Sequence, residues 1–276
     1  MIFRIFLMMA AVLSGGNVYA AGNVAGGAVA AAEATPERRY AVGDEVYFNP
    51  YQGTPCRAEE AWSRDNLASR CFRWYVLHID GETLELIADH DVGRRVPWLS
   101  REDFIAAGGT AEEYGERGNS RYGPLTALKE LKRATNSFKN VEVLTAADNV
   151  TRPNAEGGSY TINYAGFKAR LPSAQEFADL VPDKNTVAGT IWSPDTPSFI
   201  HAMPYWLYAN LGRPDGNPEA VHVAQYTDTA HTVLPSTVWV VCLGTNLGKG
   251  SVTTHEKYGR ELLGVRPIIR LKGIFL

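Results

Sequence analysis

The sequence predicts an α+β protein. Many short β-rich runs are broken by Gly, Pro and Asp/Asn signals, and only two segments carry helical signatures, with no regular alternation of strand and helix. No repeat of fixed period runs through the 276 residues, and 45% hydrophobic against 21% charged residues is the composition of an ordinary folded chain.

The first element is an address. Met1–Ala20 has a charged start at Arg4, an apolar stretch from Ile5 to Leu13, a Ser-Gly-Gly break and then Val18-Tyr19-Ala20, the pattern of a signal peptide cleaved after Ala20. The competing reading is a short membrane anchor or a core helix, but the apolar stretch is shorter than the roughly 18–20 residues that span a bilayer. Residues 21–39 begin as an Ala/Gly/Val run with little to pack and read as a flexible tether, which leaves residues 40–276 as a single domain. Cleavage removes Arg4 alone among charged groups, so 27 basic groups become 26 against 30 acidic. That balance argues against nucleic acid as a partner.

Within the domain, Glu45–Phe48 reads as a strand ending at Asn49-Pro50. Phe72–Ile79 and Thr83–Ala88, joined across Asp80-Gly81, give the strongest hairpin signal in the chain. Residues 91–120 read as irregular and polar. Pro124 opens a helix with Leu125, Leu128 and Leu131 on one face and Lys129, Lys132 and Arg133 on the solvated side. Tyr160–Arg170 is strand-like, and Ser173-Ala-Gln-Glu176 is a capping box that starts a second helix. Residues 182–220 are turn-rich yet aromatic. The remaining runs, 221–226, 237–243, 249–254 and 264–271, are β again, and Gly244–Gly250 reads as a hairpin turn.

Of three cysteines, Cys56 and Cys71 flank a polar segment suited to a surface loop, whereas Cys242 lies in an apolar strand. In an exported protein the first two are expected to form a disulfide, with Cys242 a buried small hydrophobe; in a reducing compartment all three stay thiols. No CxxC or CxxH spacing supports a metal site.

The order Tyr47-Phe-Asn-Pro50, Cys56, Cys71, Trp74-Tyr-Val-Leu77, Asp89-His90, Gly123-Pro124, Lys168-Ala-Arg-Leu-Pro-Ser-Ala-Gln-Glu176 and Gly264-Val-Arg-Pro-Ile-Ile-Arg-Leu271 resembles exported bacterial proteins with a DUF6273-type domain. The resemblance covers nearly all of the chain from Tyr40. It implies a C-type-lectin-like fold, related to that of the formylglycine-generating enzymes, with two main helices, short mostly antiparallel strands and long loops. It also implies structural roles for Arg266 and Pro267. The chain lacks the Glu-Pro-Asn or Gln-Pro-Asp triplet and the Trp-Asn-Asp strand of calcium-dependent sugar-binding lectins, and the paired active-site cysteines of the enzymes.

Constellations for chemistry are few. Asp89-His90-Asp91 joins a general-base residue type to carboxylates, but adjacent residues on an extended chain face opposite ways, so a polar strand end is the favoured reading. His201, His222, His231 and His255 make no metal motif, and no phosphate loop or nucleophile elbow occurs. Asp215, Asn217 and Glu219 offer oxygen ligands to Ca²⁺, although a conformational turn has the same composition and is preferred.

The aromatics Trp192, Tyr205, Trp206 and Tyr226, with Asp215, Asn217, Glu219 and His231 as polar complement, are the candidate ligand-binding residues; core packing is the alternative role for each ring. The expectation is therefore a secreted or periplasmic bacterial binding module that presents long loops to a glycan or protein ligand at the cell envelope, with no transmembrane segment after cleavage. The alternatives are an envelope-associated enzyme using Asp89, His90 and a distant histidine, and a structural envelope protein.

Overall fold

Two five-stranded sheets and one hairpin carry the architecture of the computed structural model, which describes residues 40–62, 66, 68–179, 224–230, 235–242, 246–251, 263–273 and 276. Tyr40–Leu276 forms one compact unit. The first sheet has the order β12-β4-β3-β1-β2, with β1 Glu45–Asn49, β2 Thr54–Pro55, β3 Phe72–Asp80, β4 Thr83–Ala88 and β12 Ile268–Lys272, all paired antiparallel. Its centre is the expected hairpin: Asp80 pairs with Thr83 across a turn in which Gly81 adopts φ +57°, a left-handed conformation that suits glycine.

The second sheet has the order β10-β9-β8-β11-β5, with β5 Val92–Val96, β8 Ala224–Ala230, β9 Thr237–Cys242, β10 Asn246–Ser251 and β11 Leu263–Val265. Its pairs are antiparallel except β11 with β8, which is parallel. The hairpin pairs β6 Val150–Pro153 with β7 Ser159–Ile162. The α+β expectation holds at this level, with few helices and a predominance of antiparallel strands.

Residues 91–120 correct the reading of an irregular stretch. They hold β5 and two short helices, α1 Arg101–Ala106 and α2 Ala111–Tyr114. Both helices are capped by their sequence: Ser100 accepts from the Asp103 amide, and Thr110 and Glu113 form a reciprocal box. At six and four residues they are too short to show a helical period. The hairpin read at Gly244–Gly250 has its two strands, β9 and β10, paired antiparallel, but β10 begins already at Asn246, opposite Cys242, so most of that segment is strand.

Helix α3, Leu125–Thr135, follows Pro124 as expected; it buries Leu128 and Leu131 and exposes Lys129, Lys132 and Arg133. Helix α4, Ala174–Asp179, starts in the predicted box, with the Ser173 amide on Glu176 Oε2 at 2.7 Å and the Glu176 amide on Ser173 Oγ at 3.1 Å. Helix α3 packs on β5. The core beneath them gathers Phe48, Trp74, Leu86, Trp98, Phe104, Leu131 and Phe138, all without solvent contact. Among the described residues two buried indoles each find an acceptor, Trp74 on the Phe48 carbonyl at 3.1 Å and Trp98 on the Thr227 carbonyl at 2.9 Å.

The sheets are joined at a shared corner. Residues 89–91 carry the chain from β4 to β5, and Arg266-Pro267 carry it back from β11 to β12, so two antiparallel strand pairs change sheet side by side. The Ala88 amide donates to the Pro267 carbonyl at 3.1 Å, and Arg266 Nε donates to the Ala88 carbonyl. Pro267 thus sits between strands, at a position where its missing N–H costs no ladder bond.

Gly264 of β11 lies against the Asp91 side chain of the other crossing. A Cβ there would stand 1.9 Å from Asp91 Oδ2. Gly264→Ala is therefore expected to lower stability by about 1–3 kcal/mol through overpacking, read as a shift in the urea midpoint.

Candidate functional site

The open face of the first sheet is polar by strand periodicity. In β4, Leu84 and Leu86 are buried while Thr83 and Glu85 face outward, and Glu85 pairs in register with Arg270 of β12 on one side and His78 of β3 on the other. Above this row lies a cleft of about 610 Å³. His78, Asp80, Glu85 and Arg270 come from the sheet, Glu142 and Asp148 from the segment after α3, and Arg152 from the hairpin. Tyr164, Arg170, Ser173 and Glu176 come from the approach to α4 and its first turn, and Asp228 from β8.

Five of these side chains form a ladder of alternating charge. Arg270 bridges Asp148 and Glu85, with Nε 2.8 Å from Glu85 Oε1. Arg170 then bridges Glu85, at 2.6 Å, and Glu176, at 2.5 Å. Both end carboxylates are fixed a second time by backbone amides: Asp148 accepts from Thr145 N at 2.6 Å and Glu176 from Ser173 N at 2.7 Å. Burial alone raises a carboxyl such as Glu85, but the arginines on its two oxygens reverse that and hold it below the ordinary glutamate range. Asp148 is held low in the same way, by Thr145 and Arg270 against its burial.

A second ion pair closes one end. Arg152 makes a bidentate fork on Asp228, at 3.1 and 2.9 Å, and Thr229 Oγ1 donates to the same carboxylate at 2.9 Å. Burial pushes the Asp228 carboxyl up, and the Arg152 fork draws it back. The Asp228 backbone ties the surrounding pieces together, with its amide on the Pro172 carbonyl at 2.9 Å and its carbonyl accepting from Tyr160 at 2.7 Å.

The ladder has a pH signature. Glu85 and Asp148 are depressed in the folded protein, so their stabilisation is complete above the ordinary carboxylate range, around 4, and is lost as pH falls through their folded values. The urea midpoint is expected to stay level from pH 7 to about 5 and to fall steeply below about 4, with a shallower fall in Glu85→Gln.

The sequence-predicted polar cluster lies elsewhere, at the sheet-crossing corner. Adjacent residues were expected to diverge there, yet the chain turns, and Asp89 Oδ1 meets His90 Nδ1, both side chains being buried. Asp89 also takes Arg73 Nε at 3.2 Å, whereas Asp91 is turned toward Gly264 and toward Arg95, 3.8 Å away. Only the pair converges. The Cys56–Cys71 disulfide is present, with the two Cα atoms 6.0 Å apart.

The ligand-binding candidates Trp192, Tyr205, Trp206, Asp215, Asn217, Glu219 and His231 lie outside the described residues, as do residues 1–39, where a signal peptide and tether were expected. Tyr226 falls in β8, in register with Val240. The cleft arginines and acids were not singled out as a site in the sequence. Their signal there is a charged residue at an outward position of an apolar strand, seen at Glu85 and Arg270.

No family model, curated protein or solved structure matches the chain. Among the described residues no helix is long and apolar enough to cross a membrane, and no group of three or more His, Cys, Asp or Glu side chains is placed to hold a metal ion.

Proposed function

We propose that the protein is an exported binding module of C-type-lectin-like architecture, of the DUF6273 type, and that its ligand is hydroxyl-rich, a glycan, held in the ladder-lined cleft. The signal-like N-terminus supports export, and the motif order from Tyr47 to Leu271 supports the family. The observation that carries the binding reading is the alternating ladder of Asp148, Arg270, Glu85, Arg170 and Glu176 along a cleft of about 610 Å³.

Charged groups braced on both sides present donors and acceptors that need little reordering when hydroxyls arrive, which reduces the entropic cost of binding. The same bracing works against acid–base catalysis. A general acid needs a carboxyl whose pKa is raised toward neutrality, whereas Glu85 and Asp148 are held low. Asp228 is drawn upward, but its oxygens are occupied by Arg152 and Thr229.

The test is binding of the full chain to an array of neutral, amino-sugar and acidic oligosaccharides. His78→Ala and Glu142→Ala change the lining without cutting the ladder. Each is expected to weaken the strongest array interaction several-fold with an unchanged melting temperature. An array blank for the wild type, or affinities untouched by both substitutions, contradicts the reading.

A further inference from the structure

The disulfide does more than close a surface loop, because the chain between its cysteines delivers an indole onto the Asp89–His90 pair. From Cys56 the chain runs through an exposed single turn, Ala58–Glu60, and returns beside Cys71, where Ala61 bridges to Cys71 and the Trp62 amide donates to the Cys71 carbonyl at 2.7 Å. Trp62 then stacks on His90, with ring centroids 4.3 Å apart and planes 20° from parallel, while Phe72 meets the same imidazole edge-on at 4.5 Å. Asp89 holds Nδ1, which leaves Nε2 as the working nitrogen; it makes no hydrogen bond with the described residues and keeps a trace of solvent contact in a side chain that is 6% exposed. His90 is 5% exposed and Cys71 4%, whereas Cys56 is only half-buried.

We propose that the Cys56–Cys71 disulfide is a redox latch: closed, it seats Trp62 over the Asp89–His90 pair, and its reduction by a dithiol frees the 57–62 segment and uncovers His90 Nε2. A thiolate of the dithiol attacks the accessible Cys56 sulfur, the Cys56–Cys71 bond breaks, and Cys71 leaves as a thiolate that takes up a proton. The second thiol of the reductant then attacks the mixed disulfide and releases Cys56. The reductant supplies two electrons and departs as a disulfide, and both cysteines end as thiols. The open form presents a carboxylate-oriented imidazole, the arrangement that accepts a proton from, or hydrogen-bonds, a small polar molecule. This inference is independent of the cleft, which shares none of these residues.

The experiment is acylation of histidines in the full chain by diethyl pyrocarbonate, followed residue by residue by mass spectrometry, with exposed His78 as the internal standard. In the oxidised protein His90 is expected to react at least tenfold more slowly than His78. After reduction with dithiothreitol, verified by thiol counting, the two rates are expected to come within about threefold. Trp62→Ala is expected to give the fast His90 rate while the disulfide is intact, and the double variant Cys56→Ser, Cys71→Ser to give it with or without reductant.

Amide hydrogen exchange of β3 and β4, run on the same samples, is expected to stay slow. A His90 rate unchanged by reduction overturns the latch. Fast exchange throughout β3 and β4 on reduction also overturns it, since the bond is then a staple of the whole fold.

Discussion

Arg152→Leu is expected to destabilise the protein by about 3–5 kcal/mol, the cost of leaving a buried carboxylate without its partner. The Asp228 side chain is 3% exposed, and Arg152 occupies both of its oxygens. Without that fork, Asp228 keeps Thr229 and must either carry a buried, unpaired charge or take up a proton. Because its backbone joins the Pro172 corner and Tyr160 of β7 to β8, the loss spreads across the wall of the cleft. Urea unfolding at pH 7 checks the magnitude. Asp228→Asn in the same background is expected to recover part of the loss, since the stranded charge is then gone. A midpoint within about 0.5 kcal/mol of wild type contradicts this placement of Asp228.

Arg266→Leu is expected to have an effect of the same size, about 3–5 kcal/mol, at the sheet-crossing corner. Arg266 is 1% exposed, and burial pulls its guanidinium down to about 10 while Asp89, Tyr75 and Asp91 pull it back up. It also donates to the carbonyl of Ala88, the last residue of β4 before the crossing. Leucine leaves that carbonyl and two carboxylates without their shared cation. Arg266→Lys is expected to keep the charge but lose the Nε donation to Ala88, and so to fall between leucine and wild type. The readout is again the urea midpoint, and equal midpoints for the lysine and leucine variants would show that charge plays no part.

These two arginines mark how far the sequence could be read. The hairpin across Asp80-Gly81, helix α3 and the start of α4 were legible because local chemistry sets them: a turn pair, a leucine face and a capping box. The disulfide was legible because the contrast between a polar segment and an apolar strand singled out Cys56 and Cys71 from Cys242. Strand β5 was not. Its partner β11 lies far along the chain, and Val92-Gly-Arg-Arg-Val96 has little β signal of its own.

The cleft was hidden for the same reason. Arg270 and Glu85 are 185 residues apart, and Arg152 and Asp228 are 76 apart, so each appears in the sequence as an isolated charge. Arg266 was expected to be structural, in line with its position at the corner. Asp89-His90 does stand at the end of β4, as expected, but nothing local announces that the chain changes sheets there. The resulting turn brings two neighbours together that an extended chain would separate.

The cleft as the ligand's seat is the central claim. It is tested most directly by carbodiimide footprinting of carboxylates on the full chain, with and without a panel of soluble neutral and amino-sugar oligosaccharides. The account predicts that at least one oligosaccharide protects Asp80 and Glu142, which line the cleft outside the ladder, and leaves Glu59 and Glu102, exposed away from it, as reactive as before. Protection that spares Asp80 and Glu142, or none with any member of the panel, would contradict it.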